Sequence, residues 1–214
     1  MAKFDNTFAL YAFDREITHK QDCCIAGVDE AGRGPLAGPV VAAAAVLDLD
    51  EPIIGVNDSK KLSEKKREAL YAEITEKAVW AVGIASPEEI DKINILHASL
   101  LAMQRALDGL QSAWTLALID GNVLLKTLDT TKQQTIVQGD AKSASIAAAS
   151  IIAKVTRDRI MMQYHETYPE YGFALHKGYP TELHRKKVLE LGICGIHRKS
   201  FCESMIRQTR LIFD

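Results

Sequence analysis

The chain has 214 residues, of which 47% are hydrophobic and 25% are charged, and its formal net charge is −2. This composition is typical of a globular protein with one core, and it excludes the strongly basic balance that would mark the whole chain as a nucleic-acid binder. No segment has the character of a signal peptide or a membrane span, so we expect a cytoplasmic protein.

The predicted elements begin with a short docked helix near Leu10 and Tyr11. A buried strand at residues 23–28 and a second apolar strand at residues 40–47 follow, joined by a glycine-rich turn. Helices and strands then alternate, a pattern that favours an α/β layer fold with a mixed sheet. The expected helices are 64–77, 96–110 after a helix start at 86–89, 144–164, 182–191 and 200–212, and the expected strands are 79–85, 115–119 and 135–138.

We expect residues 1–214 to form a single catalytic domain, with residues 1–21 as an N-terminal extension and about 182–214 as a helical C-terminal part. The charge is unevenly distributed: residues 176–214 carry a balance of +4 and residues 1–175 a balance of −6. A solvated helical tail is the simpler interpretation, and a basic lobe that faces a polyanion is the alternative.

Acidic residues stand at the exits of three predicted strands. Asp29 and Glu30 follow the first strand, Asp120 follows the strand after the long helix, and Asp140 follows the last strand. Because the carboxyl ends of parallel strands meet along one edge of a sheet, we expect these four carboxylates to gather there. Unpaired, they would raise one another's pKa values, whereas Mg²⁺ or Mn²⁺ would stabilise them, since hard cations take oxygen ligands.

Each acid also has a simpler explanation. Asp140 precedes a helix and could cap it, Asp120 begins an Asp-Gly-Asn turn, and Asp29 or Glu30 could pair with Arg33. Adjacent residues on a regular strand point to opposite faces, so Asp29 and Glu30 can serve one site only if the strand bends. The joint pattern is much less expected by chance than any one acid, and it favours a metal site.

Three further segments could contact a substrate. Gly32, Arg33 and Gly34 lie in the hairpin turn, and their backbone could approach a sugar or a phosphate, although a glycine hairpin alone would explain them. Lys60 lies in a charged loop before a helix, which suits a phosphate contact or simply a solvated loop. Tyr179 lies in a polar loop and could stack on a sugar or a base.

Six sequence segments carry a specific resemblance. In chain order they read GVDEAGRGPLAGPVV, DSKKLS, NILHASLLAMQRA, LIDGN, GD followed by SIAAASIIAKVTRDR, and YGFALHKGYPT. Together they closely resemble the ribonuclease HII family, the type 2 ribonucleases H, over about residues 24–201. The resemblance implies a ribonuclease H-like fold, with a mixed five-stranded sheet flanked by helices and a small helical C-terminal part.

The resemblance further implies a metal-dependent endonuclease. Its substrates would be the RNA strand of RNA–DNA hybrids and the 5′ side of single ribonucleotides embedded in duplex DNA, and it would leave 3′-hydroxyl and 5′-phosphate ends. The implied cofactor is Mg²⁺ or Mn²⁺. The family's metal-binding catalytic acids fall on Asp29, Glu30, Asp120 and Asp140, its ribose-reading motif on Gly32, Arg33 and Gly34, its junction-reading tyrosine on Tyr179, and the lysine of its DSK motif on Lys60.

Two alternative functions belong to other classes of protein. Four carboxylates facing a polyanion argue against a non-catalytic nucleic-acid-binding protein, and the basic C-terminal residues with the Tyr179 loop argue against a phosphatase for small phosphate esters. Gln208, Leu211 and Phe213 match only part of the sliding-clamp motif that some relatives carry, so clamp binding is not predicted. We expect a monomer without membrane contact.

Overall fold

A five-stranded sheet forms the centre of the computed structural model, which describes residues 6–203 and 205. The strands are β1 (Ile25–Ala31), β2 (Val40–Val46), β3 (Val79–Ala85), β4 (Leu116–Asp120) and β5 (Gln133–Ile136). They lie in the order β3-β2-β1-β4-β5. Strands β3, β2 and β1 pair antiparallel, whereas β1, β4 and β5 pair parallel. The predicted mixed five-stranded sheet is confirmed.

Helices cover both faces of this sheet. They are α1 (Thr7–Gln21), α2 (Glu64–Lys77), α3 (Pro87–Asp108), α4 (Ala144–Thr167), α5 (Phe173–His176) and α6 (Glu182–Leu191). Small residues of α3 pack on one face, and the alanine-rich α4 packs on the other together with α1 and α2. A Cβ at Gly27 would lie 2.1 Å from the backbone of Ser145, so only glycine allows α4 to approach β1 this closely.

Local capping chemistry explains why several predicted boundaries hold. The Ser63 hydroxyl accepts a hydrogen bond from the Lys66 N–H, and α2 has the predicted bounds. Ser86 and Glu89 form a reciprocal capping box at the start of α3. The two predicted parts of α3 join at a kink, where Asn94 has a φ of 63°.

Two predicted elements were placed incorrectly. Strand β5 lies two residues earlier than the predicted 135–138, because Gln138 has a φ of 57° and leads into a 3₁₀ turn. The N-terminal helix is longer than expected, and it buries Leu10 and Tyr11 while Phe8 stays exposed.

At the C-terminus, residues 199–203 and 205 are helical. The rest of the predicted helix 200–212 lies outside the described residues, as do Gln208, Leu211 and Phe213. Within the part of the chain that the structure describes, no helix has the length and apolarity needed to cross a membrane.

Candidate active site

Three aspartates lie at one edge of the sheet. Asp29 lies in β1 and Asp120 ends β4, its parallel neighbour. Asp140 lies just beyond β5, in the 3₁₀ turn Gly139–Ala141. The Gly139 N–H donates a hydrogen bond of 2.7 Å to Asp120 Oδ1, which ties this turn to the end of β4. The parallel order of β1, β4 and β5 therefore brings the three acids together.

Glu30 reaches the same region without the bend that the adjacent acids led us to expect. The acids do not follow the strand but lie within it, because β1 stays paired with β2 through Ala31. The Ser150 hydroxyl on α4 acts on Asp29 by opposing the rise in its pKa, whereas Glu30 lies 3.5 Å from the Arg33 guanidinium. The adjacent side chains thus point to opposite faces, as regular strand geometry requires.

A cavity of about 210 Å³ opens beside these acids. It is lined by six of the nine predicted site residues: Glu30, Gly32, Arg33, Gly34, Lys60 and Tyr179. Asp29, Asp120 and Asp140 are not part of its lining. Ser150, which does line it, also influences the pKa of Asp29, so the cavity borders the surroundings of this buried aspartate.

Lys60 is held over the acids and still faces solvent. Its Nζ lies 3.9 Å from Asp140 Oδ2, and its side chain is 80% exposed. Burial lowers the pKa of Lys60, but the charges of the surrounding aspartates outweigh this effect and raise the pKa. Asp58 fixes the loop, since its carboxylate accepts a 2.9 Å hydrogen bond from the Lys60 N–H.

Burial and mutual repulsion raise the pKa values of three acids. Burial raises the pKa of Asp29 well above its usual value, and the charges of Glu30 and Asp120 add to this effect. Burial also raises the pKa of Glu30, although the Arg33 guanidinium opposes the increase. The pKa of Asp140 is raised by burial and by neighbouring aspartates. A cation placed among these carboxylates would favour their ionised forms.

The donor set suits a hard divalent cation, since it consists of carboxylate oxygens alone. The side chains do not yet converge: among the described residues, no three His, Cys, Asp or Glu side chains are grouped closely enough to hold a metal ion. Three of the acids are engaged by local donors instead, namely the Arg33 guanidinium, the Lys60 ammonium and the Gly139 N–H. The acids therefore need side-chain rotation to share an ion.

Of the simpler explanations for the acids, the structure excludes the helix cap and contains the turn and the ion pair. Asp140 does not cap α4, because the Ser143 hydroxyl accepts the 3.2 Å hydrogen bond from the Ile146 N–H. The turn after Asp120 does form, with Gly121 at a φ of 105°. The pairing of Glu30 with an arginine is also present, and neither feature conflicts with a site at this edge.

The glycine-rich turn and Tyr179 face each other across the cavity. Gly32 has a φ of 101°, and a Cβ there would lie 2.2 Å from the Arg157 side chain. At Gly34 the backbone is open, since the nearest atom to a Cβ at this position would be Tyr179 Cε1 at 4.0 Å. An exposed backbone segment and an aromatic ring therefore border the same space.

A polar face on α4 was not predicted from the sequence. Ser150, Lys154 and Arg157 are spaced four and three residues apart, and the first two line the cavity. Lys154 Nζ lies 5.6 Å from the centre of the Tyr179 ring and 2.7 Å from Asp158. Polar residues at helical spacing in a helix otherwise rich in Ala and Ile were the signal that could have revealed this face.

The fold and the site together define a class. A mixed five-stranded sheet with helices on both faces, and with acids at the ends of its central parallel strands, is the arrangement of ribonuclease H-like nucleases. A family model for ribonuclease HII matches residues 26–204. The chain is also 54% identical over 189 residues to the ribonuclease HII of Colwellia psychrerythraea, a match that covers 83% of this chain and 87% of that protein. The chain belongs to the ribonuclease HII family.

Solved structures are similar in fold. The ribonuclease H2 from Pyrococcus horikoshii OT3 has a TM-score of 0.69 and 29% identity, covering 87% of this chain and 98% of that one. The ribonuclease HII of Archaeoglobus fulgidus, solved in complex with PCNA, has a TM-score of 0.66 and 28% identity, covering 82% and 94%.

Family membership fixes the general activity. The protein is a ribonuclease H, an endoribonuclease that acts on RNA–DNA hybrids, in a family that depends on divalent metal ions. The prediction of an enzyme of this kind is confirmed, and a phosphatase or a non-catalytic nucleic-acid binder is no longer an alternative.

Proposed function

We propose that this ribonuclease H uses Mg²⁺ or Mn²⁺ to cleave both hybrids and duplex DNA that contains a single ribonucleotide. Cleavage would fall on the 5′ side of the ribonucleotide and leave 3′-hydroxyl and 5′-phosphate ends. The observation that carries the proposal is the shared cavity, in which the open Gly34 backbone and the Tyr179 ring stand beside Glu30 and Lys60.

The four acids would hold the metal. Asp29 lies on the middle strand of the sheet, next to Glu30 in the chain and beside β4, which ends in Asp120, and this supports Asp29 as a ligand that two ions could share. When bound, the metal would lower the pKa of the attacking water and stabilise charge on the leaving 3′ oxygen. Lys60, exposed above Asp140, would contact a phosphate of the substrate.

The turn and the tyrosine would read the sugars. The 2′-hydroxyl is the group that separates RNA from DNA at a given site. Gly32 and Gly34 have no side chains to block it, so the backbone of the turn can approach a ribose closely. Tyr179 would pack on the neighbouring deoxyribose, where a second 2′-hydroxyl would crowd the ring.

We also propose that residues 1–214 act as one catalytic domain and as a monomer. Support for the single domain comes from Asp14 of α1, whose carboxylate accepts 2.8 Å hydrogen bonds from the N–H and the hydroxyl of Ser145 on α4. The PCNA complex belongs to the Archaeoglobus relative, and clamp binding is not part of this proposal.

A single assay tests the proposal. A labelled duplex with one ribonucleotide, the same duplex as all DNA, a continuous hybrid and a small phosphate ester are each incubated with Mg²⁺, Mn²⁺ or a chelator. We expect cation-dependent cleavage of the first and third substrates only, with a 3′-hydroxyl end that a ligase accepts. Cleavage of the hybrid without cleavage at the single ribonucleotide would contradict the proposal.

A further inference from the structure

Two fully buried arginines lie beneath the glycine-rich turn. Arg157 on α4 and Arg198 after α6 are each 0% exposed. A buried guanidinium is costly unless its N–H groups find acceptors. Among the described residues, the hydrogen bonds that both side chains donate go to backbone carbonyls and to no carboxylate. The two buried guanidinium groups therefore fix the backbone of the glycine-rich turn, and part of this backbone borders the cavity.

Arg198 spans the turn from one side to the other. Its two terminal nitrogens donate to the Gly32 carbonyl at 2.6 Å and to the Arg33 carbonyl at 2.9 Å. Its Nε donates to the Gly38 carbonyl at 2.9 Å, on the returning side of the turn. The Arg198 N–H adds a 2.8 Å bond to the Leu36 carbonyl. One planar side chain thus fixes three carbonyls of the glycine-rich turn, and two of them belong to the segment proposed to read ribose.

Arg157 attaches the same turn to the Tyr179 loop. It donates to the carbonyls of Ala37, Pro39 and Lys177 at 3.0 to 3.1 Å. Its guanidinium carbon also lies 5.6 Å from the centre of the Tyr179 ring. Arg157 therefore fixes the position of the turn relative to the Tyr179 loop.

The direction of the carbonyls determines the direction of the amides. In a trans peptide the C=O and the following N–H point in opposite directions. Because the Gly32 and Arg33 carbonyls point at Arg198, the N–H groups of Arg33 and Gly34 point away from it. Arg33 and Gly34 line the cavity, so these two N–H groups are the donors that the turn can offer to a ribose.

We propose that Arg198 is a positioning residue for ribose recognition: it holds the Gly32 and Arg33 carbonyls so that the Arg33 and Gly34 amides are available to the 2′-hydroxyl. This inference rests on the proposed role of the turn as the ribose reader. A lysine would keep the charge, but its single ammonium cannot occupy the three sites of a planar fork. Arg198→Lys therefore separates fork geometry from charge.

The first test compares affinities for two duplexes that differ by one 2′-hydroxyl, measured with Ca²⁺ in place of Mg²⁺ and with intact substrate verified on a gel. We expect Arg198→Lys to lower the ratio of the two affinities about tenfold, a change of ~1.4 kcal/mol, while affinity for the all-DNA duplex changes less than about twofold. Arg185→Lys, at an exposed position of α6, is the matched control and should leave the ratio unchanged. An unchanged ratio in a folded Arg198→Lys protein would overturn the inference.

The second test uses the unaltered enzyme, so it holds even if the variant does not fold. Hydrogen exchange of the Arg33 and Gly34 amides is measured with each duplex bound. We expect stronger protection by the duplex that contains the ribonucleotide, and equal protection by both would overturn the inference. If the wild type itself neither discriminates nor cleaves the ribonucleotide duplex, the proposed function fails. If it discriminates and Arg198→Lys discriminates equally, only the role of Arg198 fails.

Discussion

The hydroxyl oxygens of Ser59 and Ser150 lie 2.9 Å apart, and both side chains are buried. Ser59 belongs to the turn that carries Lys60, while Ser150 belongs to α4, and its hydroxyl acts on the Asp29 carboxylate by opposing the rise in its pKa. Two small hydroxyls therefore connect the proposed phosphate contact to the centre of the acidic site. Groups that orient a metal ligand in this way commonly affect metal affinity although they do not touch the metal.

We predict that Ser150→Ala weakens divalent-metal binding about tenfold, because Asp29 loses the hydroxyl that orients it. Calorimetric titration with Mn²⁺ in the absence of nucleic acid measures this directly. Ser59→Ala is the matched control, since it breaks the same hydroxyl pair and leaves the Ser150 hydroxyl in place to act on Asp29. Equal weakening in both variants would argue against a role for Ser150 through Asp29.

Asp120→Asn is expected to reduce cleavage by more than ~100-fold without unfolding the protein. The asparagine side chain keeps an oxygen that can accept the Gly139 N–H, so the tie between β4 and the turn survives, whereas the charge that would bind the metal is lost. Activity with saturating Mg²⁺ and the circular dichroism spectrum check the two halves of this prediction. Full activity would exclude Asp120 from the metal site.

Features governed by local chemistry were predictable from the sequence. The start of α2 follows from one serine cap, and the gathering of acids follows from the order of parallel strands. The mixed sheet followed from an initial hairpin and the alternation after it. In each case the deciding residues are neighbours in sequence or obey a rule of topology.

Features that depend on distant backbone partners were not predictable. Arg198 was counted in a basic C-terminal part that is either solvated or faces a polyanion, yet it is fully buried against carbonyls of residues 32, 33 and 38. Gln133 lay outside the predicted strand 135–138, yet it is buried at the start of β5, where its side chain bonds the N–H and carbonyl of Leu125 in the preceding loop. No spacing rule reveals a backbone acceptor far away in sequence.

Tyr179→Ala should reduce cleavage at a single embedded ribonucleotide about tenfold more than cleavage of a continuous hybrid. The ring is 38% exposed at the cavity, and its proposed partner is the deoxyribose that only the first substrate provides. A tenfold difference of this kind corresponds to ~1.4 kcal/mol. Initial rates on both substrates under subsaturating conditions give the ratio. Tyr179→Phe should keep it, and equal losses in Tyr179→Ala would contradict junction reading.

Asp29→Asn is expected to stabilise the metal-free protein at pH 8. Burial raises the pKa of Asp29 in the folded state, and the charges of Glu30 and Asp120 raise it further. The carboxyl group of Asp29 therefore binds a proton more tightly in the folded protein than in the unfolded chain. Stability is therefore lost as pH rises from the ordinary aspartate value of 3.8 through the raised one. With a chelator present, the melting temperature of the variant should be ~3 °C higher than that of the wild type. A shift of this size corresponds to about 1 kcal/mol of unfolding free energy in a chain of this length.

The same comparison at pH 3.5 serves as the control for Asp29→Asn, because the carboxyl group is then protonated in the folded state and largely protonated in the unfolded chain, so most of the difference should disappear. Saturating Mg²⁺ should raise the melting temperature of the wild type more than that of the variant. A variant that is less stable than wild type in chelator at pH 8 would show that Asp29 is not under the repulsion described.

The last prediction concerns the buried imidazoles of His184 and His197, whose Nε2 atoms lie 3.1 Å apart. Burial is the main cause that lowers both pKa values to about 4, from 6.5 in an unfolded chain. Because the unfolded chain takes up these protons first, stability is fully present above pH 6.5 and is lost as pH falls from 6.5 towards 4. When the pH is lowered from 7.5 to 5, the urea concentration at the unfolding midpoint should therefore fall more for the wild type than for His197→Gln, which lacks one of the two imidazoles. Other titrating groups act equally on both proteins, so an equal fall in both would refute this account of the pair.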